Sequence, residues 1–87
     1  MEFEWDNNKR QENLRKHRID FADADSFDWD GAIIYSDLRK DYGEDREVAF
    51  GDFLGMPTVL VYTVRENAVR LISWRRCDSK EVKKWPK

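Results

Sequence analysis

In a chain that is 40% hydrophobic and 39% charged, a core can form only where apolar side chains concentrate. The stretch Thr58–Arg76 (TVLVYTVRENAVRLISWRR) is the one place where they do. Thr58–Val64 and Ala68–Trp74 are rich in β-branched and aromatic residues, the composition of strands. The polar Arg65-Glu66-Asn67 between them predicts a hairpin in which Asn67 takes the positive φ of a tight turn. The second strand runs into Arg75 and Arg76, so the most apolar hairpin ends in the most concentrated positive charge. If the strand continues through both, the two arginines point to opposite faces, and only one of them can occupy a given groove. Trp74 has two readings: a ring that stacks a nucleic-acid base, or a core side chain in the strongest strand.

A length of 87 residues corresponds to a single domain, 1–87, with a modest core that twelve aromatic residues enlarge. The lone Cys77 excludes an internal disulfide, and one cysteine with one histidine cannot form a zinc quartet. No metal and no cofactor are therefore expected. Met1 is followed by EFEWD rather than a basic-then-apolar leader, and no apolar run approaches the roughly 20 residues of a membrane span. The expectation is a cytoplasmic protein without membrane association. The net charge of −2 hides an asymmetry: residues 1–63 carry 15 acidic and 8 basic side chains, residues 64–87 only 3 acidic against 8 basic. Together with Lys9, Arg10, Arg15, Lys16 and Arg18, the basic end suits a face that meets a polyanion.

Taken in order, Glu2–Trp5 alternates as a short strand, and Asp6 caps a helix over Asn7–His17. Leu14 is almost the only apolar side chain of that helix, so it must be held by docking or present Lys9, Arg10, Lys16 and His17 to a charged partner. Asp20 caps a second short helix, Phe21–Phe27, in which Phe21, Ala24 and Phe27 form a stripe at three-residue spacing. Ala32–Ser36 is a short apolar strand, and Asp37–Asp45 a charged loop turning at Gly43. Glu47–Phe53 is a strand in which Gly51 marks a bulge or a close backbone approach. Leu54–Pro57 turns the chain, Pro57 fitting a strand start. After the central hairpin, Asp78 or Ser79 caps a helix to about Lys84, which Pro86 cannot continue. The order predicts an α+β domain: a mostly antiparallel sheet with two N-terminal helices packed on one face and a short C-terminal helix.

Four residues have chemistry suited to a site. His17, between Lys16 and Arg18, suits a general acid or base, or a helix end stabilised by the dipole. Glu44 and Arg46 leave the chain on the same side, so both could act on one phosphate or form an ordinary surface ion pair. Arg75 or Arg76 supplies a further cation.

The blocks FEWDNNKRQENLRKHRIDF (Phe3–Phe21), DLRKDYGEDR (Asp37–Arg46) and RLISWRR with Glu81 following resemble the BrnT family, bacterial type II toxins with a RelE-like fold. The pattern Trp5-Asp6, Lys9, Asn13, Lys16-His17 is the most specific part. The resemblance implies a metal-independent endoribonuclease that cleaves mRNA and inhibits translation. It also implies neutralisation by a BrnA-type antitoxin with a ribbon-helix-helix domain, through which the pair reaches operator DNA. In RelE-like nucleases the ribose 2′-hydroxyl attacks the neighbouring phosphate and leaves a cyclic phosphate. That requires a base, cations on the phosphate and an acid for the leaving oxygen. Matching positions are Arg46 and Arg75 on the phosphate and Glu44 or His17 for protons, with Lys9, Lys16, Arg39 and Arg76 binding RNA.

Two departures from the family pattern stand out. Trp74 occupies a position that is usually small, where it would narrow the groove or add stacking. Asp20–Asp52 holds 11 acidic against 3 basic residues, which opposes RNA binding. The alternative reading is therefore a catalytically inactive module acting only as antitoxin partner and co-repressor. A nucleic-acid mimic built on those acids is opposed by the basic clusters at both ends.

Overall fold

The computed structural model describes residues 1–39 and 41–84. Five strands form one sheet: β1 (Glu2–Glu4), β2 (Ile33–Ser36), β3 (Glu47–Phe53), β4 (Met56–Arg65) and β5 (Ala68–Arg76). Their order is β1-β5-β4-β3-β2. Three meandering antiparallel pairings join β2 to β5, and β1 adds in parallel along Ala68–Arg70. Helix α1 (Asn7–His17) and a 3₁₀ helix (Phe21–Ser26) follow β1, and α2 (Ser79–Lys83) follows β5. This is the expected α+β architecture, consistent with a RelE-like fold. No helix among the described residues is long and apolar enough to cross a membrane. The expected stop at Pro86 lies outside the described residues.

Local sequence explains the helix starts. Asp6 accepts the Asn8 N–H at 2.7 Å and Asp20 the Ala22 N–H at 3.0 Å, each satisfying a donor that the first turn leaves free. The segment after Asp20 is 3₁₀ because its apolar stripe repeats every three residues, the 3₁₀ period rather than the α one. The tight turns hold a correction. Arg65 pairs with Ala68, so the loop is only Glu66-Asn67, and Glu66, not Asn67, carries the positive φ of 54°. At the other hairpin Phe53 pairs with Met56 and both Leu54 and Gly55 have positive φ, so β4 already begins at Met56 and Pro57 lies within it.

The core occupies one face of the sheet. Phe21, Ala24 and Phe27 of the 3₁₀ segment cover Ala49, Phe53, Leu60, Tyr62, Leu71 and Trp74. Trp74 is fully buried, its ring 4.6 Å from Phe53 and 5.9 Å from Phe27, and its indole N–H donates to Thr58 Oγ1 at 3.1 Å. It is a core side chain facing away from the open side of the sheet, so neither stacking on a base nor narrowing of a groove falls to it. Gly51 resolves as a close approach: a Cβ there would lie 2.5 Å from Phe27 Cζ. Gly51→Ala is expected to lower stability by about 1–3 kcal/mol through forced displacement of that ring, read as a fall in denaturation midpoint with an unchanged m-value.

Strand β5 carries an irregularity that sets the site. Tyr62 pairs with Leu71 but Val61 pairs with Ser73, leaving Ile72 without a partner across the ladder. This bulge interrupts the alternation. Val69, Leu71 and Trp74 all face the core, whereas Ser73 and Arg75 face the open side with Val59 and Val61.

Helix α1 docks without apolar contacts of any size, and Leu14 remains 42% exposed. Beyond Arg70, β1 no longer covers β5, and α1 lies along the vacated edge. There the buried Asn13 replaces a strand: its Oδ1 accepts the Trp74 N–H at 2.9 Å, and its Nδ2 donates to the Trp74 and Ile19 carbonyls at 2.8 and 3.0 Å.

Candidate active site

The docking of α1 against β5 creates a groove lined by Lys9, Glu12, Lys16 and His17 from the helix and by Ile72 and Ser73 from the bulge. Lys16 pairs with Glu12 at 3.1 Å, one turn away. At one end, the imidazole of His17 lies within the field of Arg75. Partial burial, the Arg75 charge and the Lys16 charge hold its pKa below the ordinary 6.5. His17 is therefore neutral at pH 7 and able to accept a proton.

Arg75 follows the bulge onto the same open side. Its two terminal nitrogens are held end-on by Glu81, Nη1 to Oε1 at 2.8 Å and Nη2 to Oε2 at 2.9 Å, and Nη1 also donates to the Arg76 carbonyl at 3.1 Å. Among the described residues the Nε–H and the second Nη2 hydrogen have no partner. These lie on the side-on edge of the guanidinium, the same Nε/Nη2 edge with which Arg10 grips Asp20. A phosphate can thus be bound bidentately while Glu81 keeps the fork in place. Glu81 also closes a capping box with Asp78 at the start of α2, so the helix end and the arginine share one anchor. That pairing and its backbone bond hold the Glu81 carboxyl below its usual range.

The remaining expected residues are placed as follows. Arg76 pairs across from Thr58 and projects to the opposite face, away from the groove. Lys9 lies at the far end of the groove, where its charge reaches Glu44. Glu44 is engaged chiefly by Arg65 at 2.8 Å, which keeps its carboxyl ionised and makes it a poor proton donor at neutral pH. Arg46 is 3.9 Å from Glu44, and its guanidinium stacks 4.0 Å over the Tyr42 ring. Its Nε–H is buried without a hydrogen-bond partner among the described residues.

The strand register separates the two arginines: Arg75 is level with Phe50 across β4, four residues beyond Arg46 and two strands over. At ordinary strand rise and spacing their backbones are roughly 17 Å apart, too far for both to hold one phosphate comfortably. Arg46 thus lies further along the sheet, whereas the Arg75 charge is felt at His17. Arg39 is bound to the buried Asp37 at 2.7 and 2.8 Å, and Tyr42 donates to the same carboxylate at 3.2 Å.

Two participants were not singled out from sequence. Glu81 had a visible signal, the Asp-x-x-Glu capping pattern at 78–81. Asn13 had none beyond its place in the family pattern, because its partners are backbone atoms 61 residues away. Cys77 is free, and burial together with the Glu81 charge raises its thiol to about 11, so it is not a nucleophile at neutral pH. No group of three or more His, Cys, Asp or Glu side chains among the described residues is arranged to hold a metal ion.

A family model described as "Ribonuclease toxin, BrnT, of type II toxin-antitoxin system" matches residues 5–81. No curated protein matches the chain significantly. The matched span runs from Trp5 through α1, the whole of β2 to β5 and on to Glu81, and so contains every residue of the groove. The chain belongs to the BrnT family of ribonuclease toxins of type II toxin–antitoxin systems, and with that membership comes a cognate antitoxin.

Proposed function

We propose that the protein is an endoribonuclease that cleaves mRNA without a metal ion, and that translation stops as a result. The observation that carries this reading is a neutral His17 beside Lys16 in the groove, within the field of Arg75, whose Nε/Nη2 edge is unpaired among the described residues. In the proposed reaction His17 takes the proton of a ribose 2′-hydroxyl. The resulting oxygen attacks the adjacent phosphorus and a five-coordinate dianion develops against Arg75 and Lys16. The bond to the 5′-oxygen then breaks, leaving a 2′,3′-cyclic phosphate, and the departing oxygen is protonated by Lys16 or solvent. Lys9 and Arg46, further along, would meet a neighbouring phosphate and set the path of the strand. Glu44 serves by holding Arg65 and Arg46 rather than by moving a proton. A BrnA-type antitoxin with a ribbon-helix-helix domain would silence the toxin and carry the pair to operator DNA. The cytoplasm, where mRNA and that partner are found, is the proposed location.

The test is cleavage of short RNAs by purified toxin in the presence of EDTA, with product ends identified by mass. A cyclic phosphate is expected, and the acid limb of kcat/KM should fall below pH 6.5 because the base is held neutral by its surroundings. His17→Gln should abolish that limb. Cleavage that stops on chelation, or a limb untouched by His17→Gln, overturns the assignment.

The second reading, a binding module without activity, is favoured by one feature. Arg39, Arg65, Arg70 and Arg75 are each closely paired with a carboxylate, and Arg46 more loosely at 3.9 Å. An inactive protein that still captured its antitoxin would establish it.

A further inference from the structure

Beyond Ser73, on the side away from the basic groove, the open face of the sheet sinks into a pocket of about 320 Å³. Its floor is apolar, built from Val48, Phe50, Val59 and Val61, and its outer wall is Tyr35 of the edge strand. The Tyr35 ring is 52% exposed and lies 5.5 Å from Phe50 at an angle of 38°. Two ion pairs form the rim, Arg39 with Asp37 and Arg75 with Glu81, and Ser73 lies on the same open face. Because each guanidinium there is matched by a carboxylate, the pocket is close to neutral. The groove across Ser73 carries Lys9 and Lys16 against one acid, Glu12.

From this pairing of chemistries across one residue, we infer that the pocket holds a nucleobase of the RNA, the one next to the phosphate gripped by Arg75. Every nucleotide presents a charged phosphate and, a few ångströms away, a flat and neutral base. The two hollows present a cationic slot and a flat-floored neutral one in the same sequence, with Ser73 lining both and the Arg75 charge felt at His17 in the slot. Tyr35 offers the base an aromatic face, the apolar floor excludes water beneath it, and the Ser73 hydroxyl can hydrogen-bond its polar edge. Tyr35 thus becomes a specificity-determining residue. This inference rests on the ribonuclease reading above and adds to it the part of the substrate that the groove does not touch.

The test uses binding rather than turnover. A labelled 2′-O-methyl trinucleotide, which cannot be cleaved by attack of its own 2′-oxygen, is titrated against the toxin in three versions, each lacking the base at a different position. Loss of one particular base is expected to weaken binding about tenfold more than loss of either other, within the range of a single base stack. Tyr35→Leu should erase that difference and Tyr35→Trp preserve it, with melting curves of both close to wild type because the side chain lies on an exposed edge. If wild type cleaves RNA and binds the intact oligomer but tolerates every abasic position equally, the pocket is not a base site and the inference fails alone. If Tyr35→Leu leaves RNA binding intact and instead weakens the antitoxin complex, the pocket receives a protein side chain and the inference is overturned. Wild type that neither cleaves RNA nor binds any oligomer removes the ribonuclease reading itself.

Discussion

Arg75→Ala is expected to lower kcat/KM for RNA cleavage by about 10²- to 10³-fold, the usual consequence of removing one preorganised donor to a developing oxyanion. The guanidinium is half-buried and already fixed end-on by Glu81, so it needs little reorganisation to receive the dianion on its free edge. A second effect should accompany the first. The Arg75 charge helps depress the His17 pKa, so its removal lets the acid limb move back toward 6.5. Arg75→Lys separates the two: a single ammonium keeps the charge near His17 and so leaves the limb in place, but it cannot grip Glu81 and a phosphate together. Most of the rate should therefore still be lost. The capping box at Asp78 does not depend on Arg75, and the melting curve should move little. Wild-type cleavage by Arg75→Ala would remove this residue from the site.

Asn13→Ala should have the largest effect on stability. Its side chain has no exposed partner to fall back on: the Trp74 N–H and the Trp74 and Ile19 carbonyls would all lose a buried bond. Unsatisfied groups of this kind cost about 1–3 kcal/mol each, and allowing for partial access of water a total of about 3 kcal/mol follows. In a domain this small that corresponds to a fall of roughly 12–24 °C in Tm. Asn13→Asp is the informative companion. It keeps an acceptor for the Trp74 N–H but turns the amide donor into a second oxygen facing two carbonyls, so it should be no better than alanine. A Tm within a few degrees of wild type for either variant would mean that α1 is held by something other than Asn13.

How much of this was legible beforehand depends on the range of the interaction. The caps at Asp6 and Asp20, the choice of Asp78 or Ser79 for the last helix and the hairpin from Thr58 were readable because their causes lie within a few residues of chain. Gly51 was marked only as a bulge or close approach, its partner Phe27 being distant in sequence. The face of each residue in β5 was not readable. Strict alternation from Val69 places Trp74 outside whenever Val69 and Leu71 are inside, and only the unpaired Ile72 restores Trp74 to the core. Nothing in ISWRR marks that extra residue, because a bulge is fixed by what β4 and α1 offer on either side. Likewise, the short apolar run at 32–36 gave the strand but not its exposure: β2 is an exposed edge, since burial depends on its place in the sheet order. For the site, residue types were readable and partnerships were not: Glu44 and Arg46 are neighbours in sequence, but Glu44 belongs to Arg65.

The parallel pairing of β1 with β5 has a consequence for how the toxin comes into being. Glu4 and Arg70 are joined at 2.7 Å across 66 residues of chain, and Asn13 and Trp74 across 61. As the polypeptide leaves the ribosome, β1 and α1 emerge first, yet their docking strand is made last among the five. Until about residue 76 is clear of the exit tunnel, α1 is a polar helix too short to persist alone, and His17 has no Arg75 beside it. On the proposed site, activity would therefore arise only once β5 has docked against β1 and α1, in a single late event.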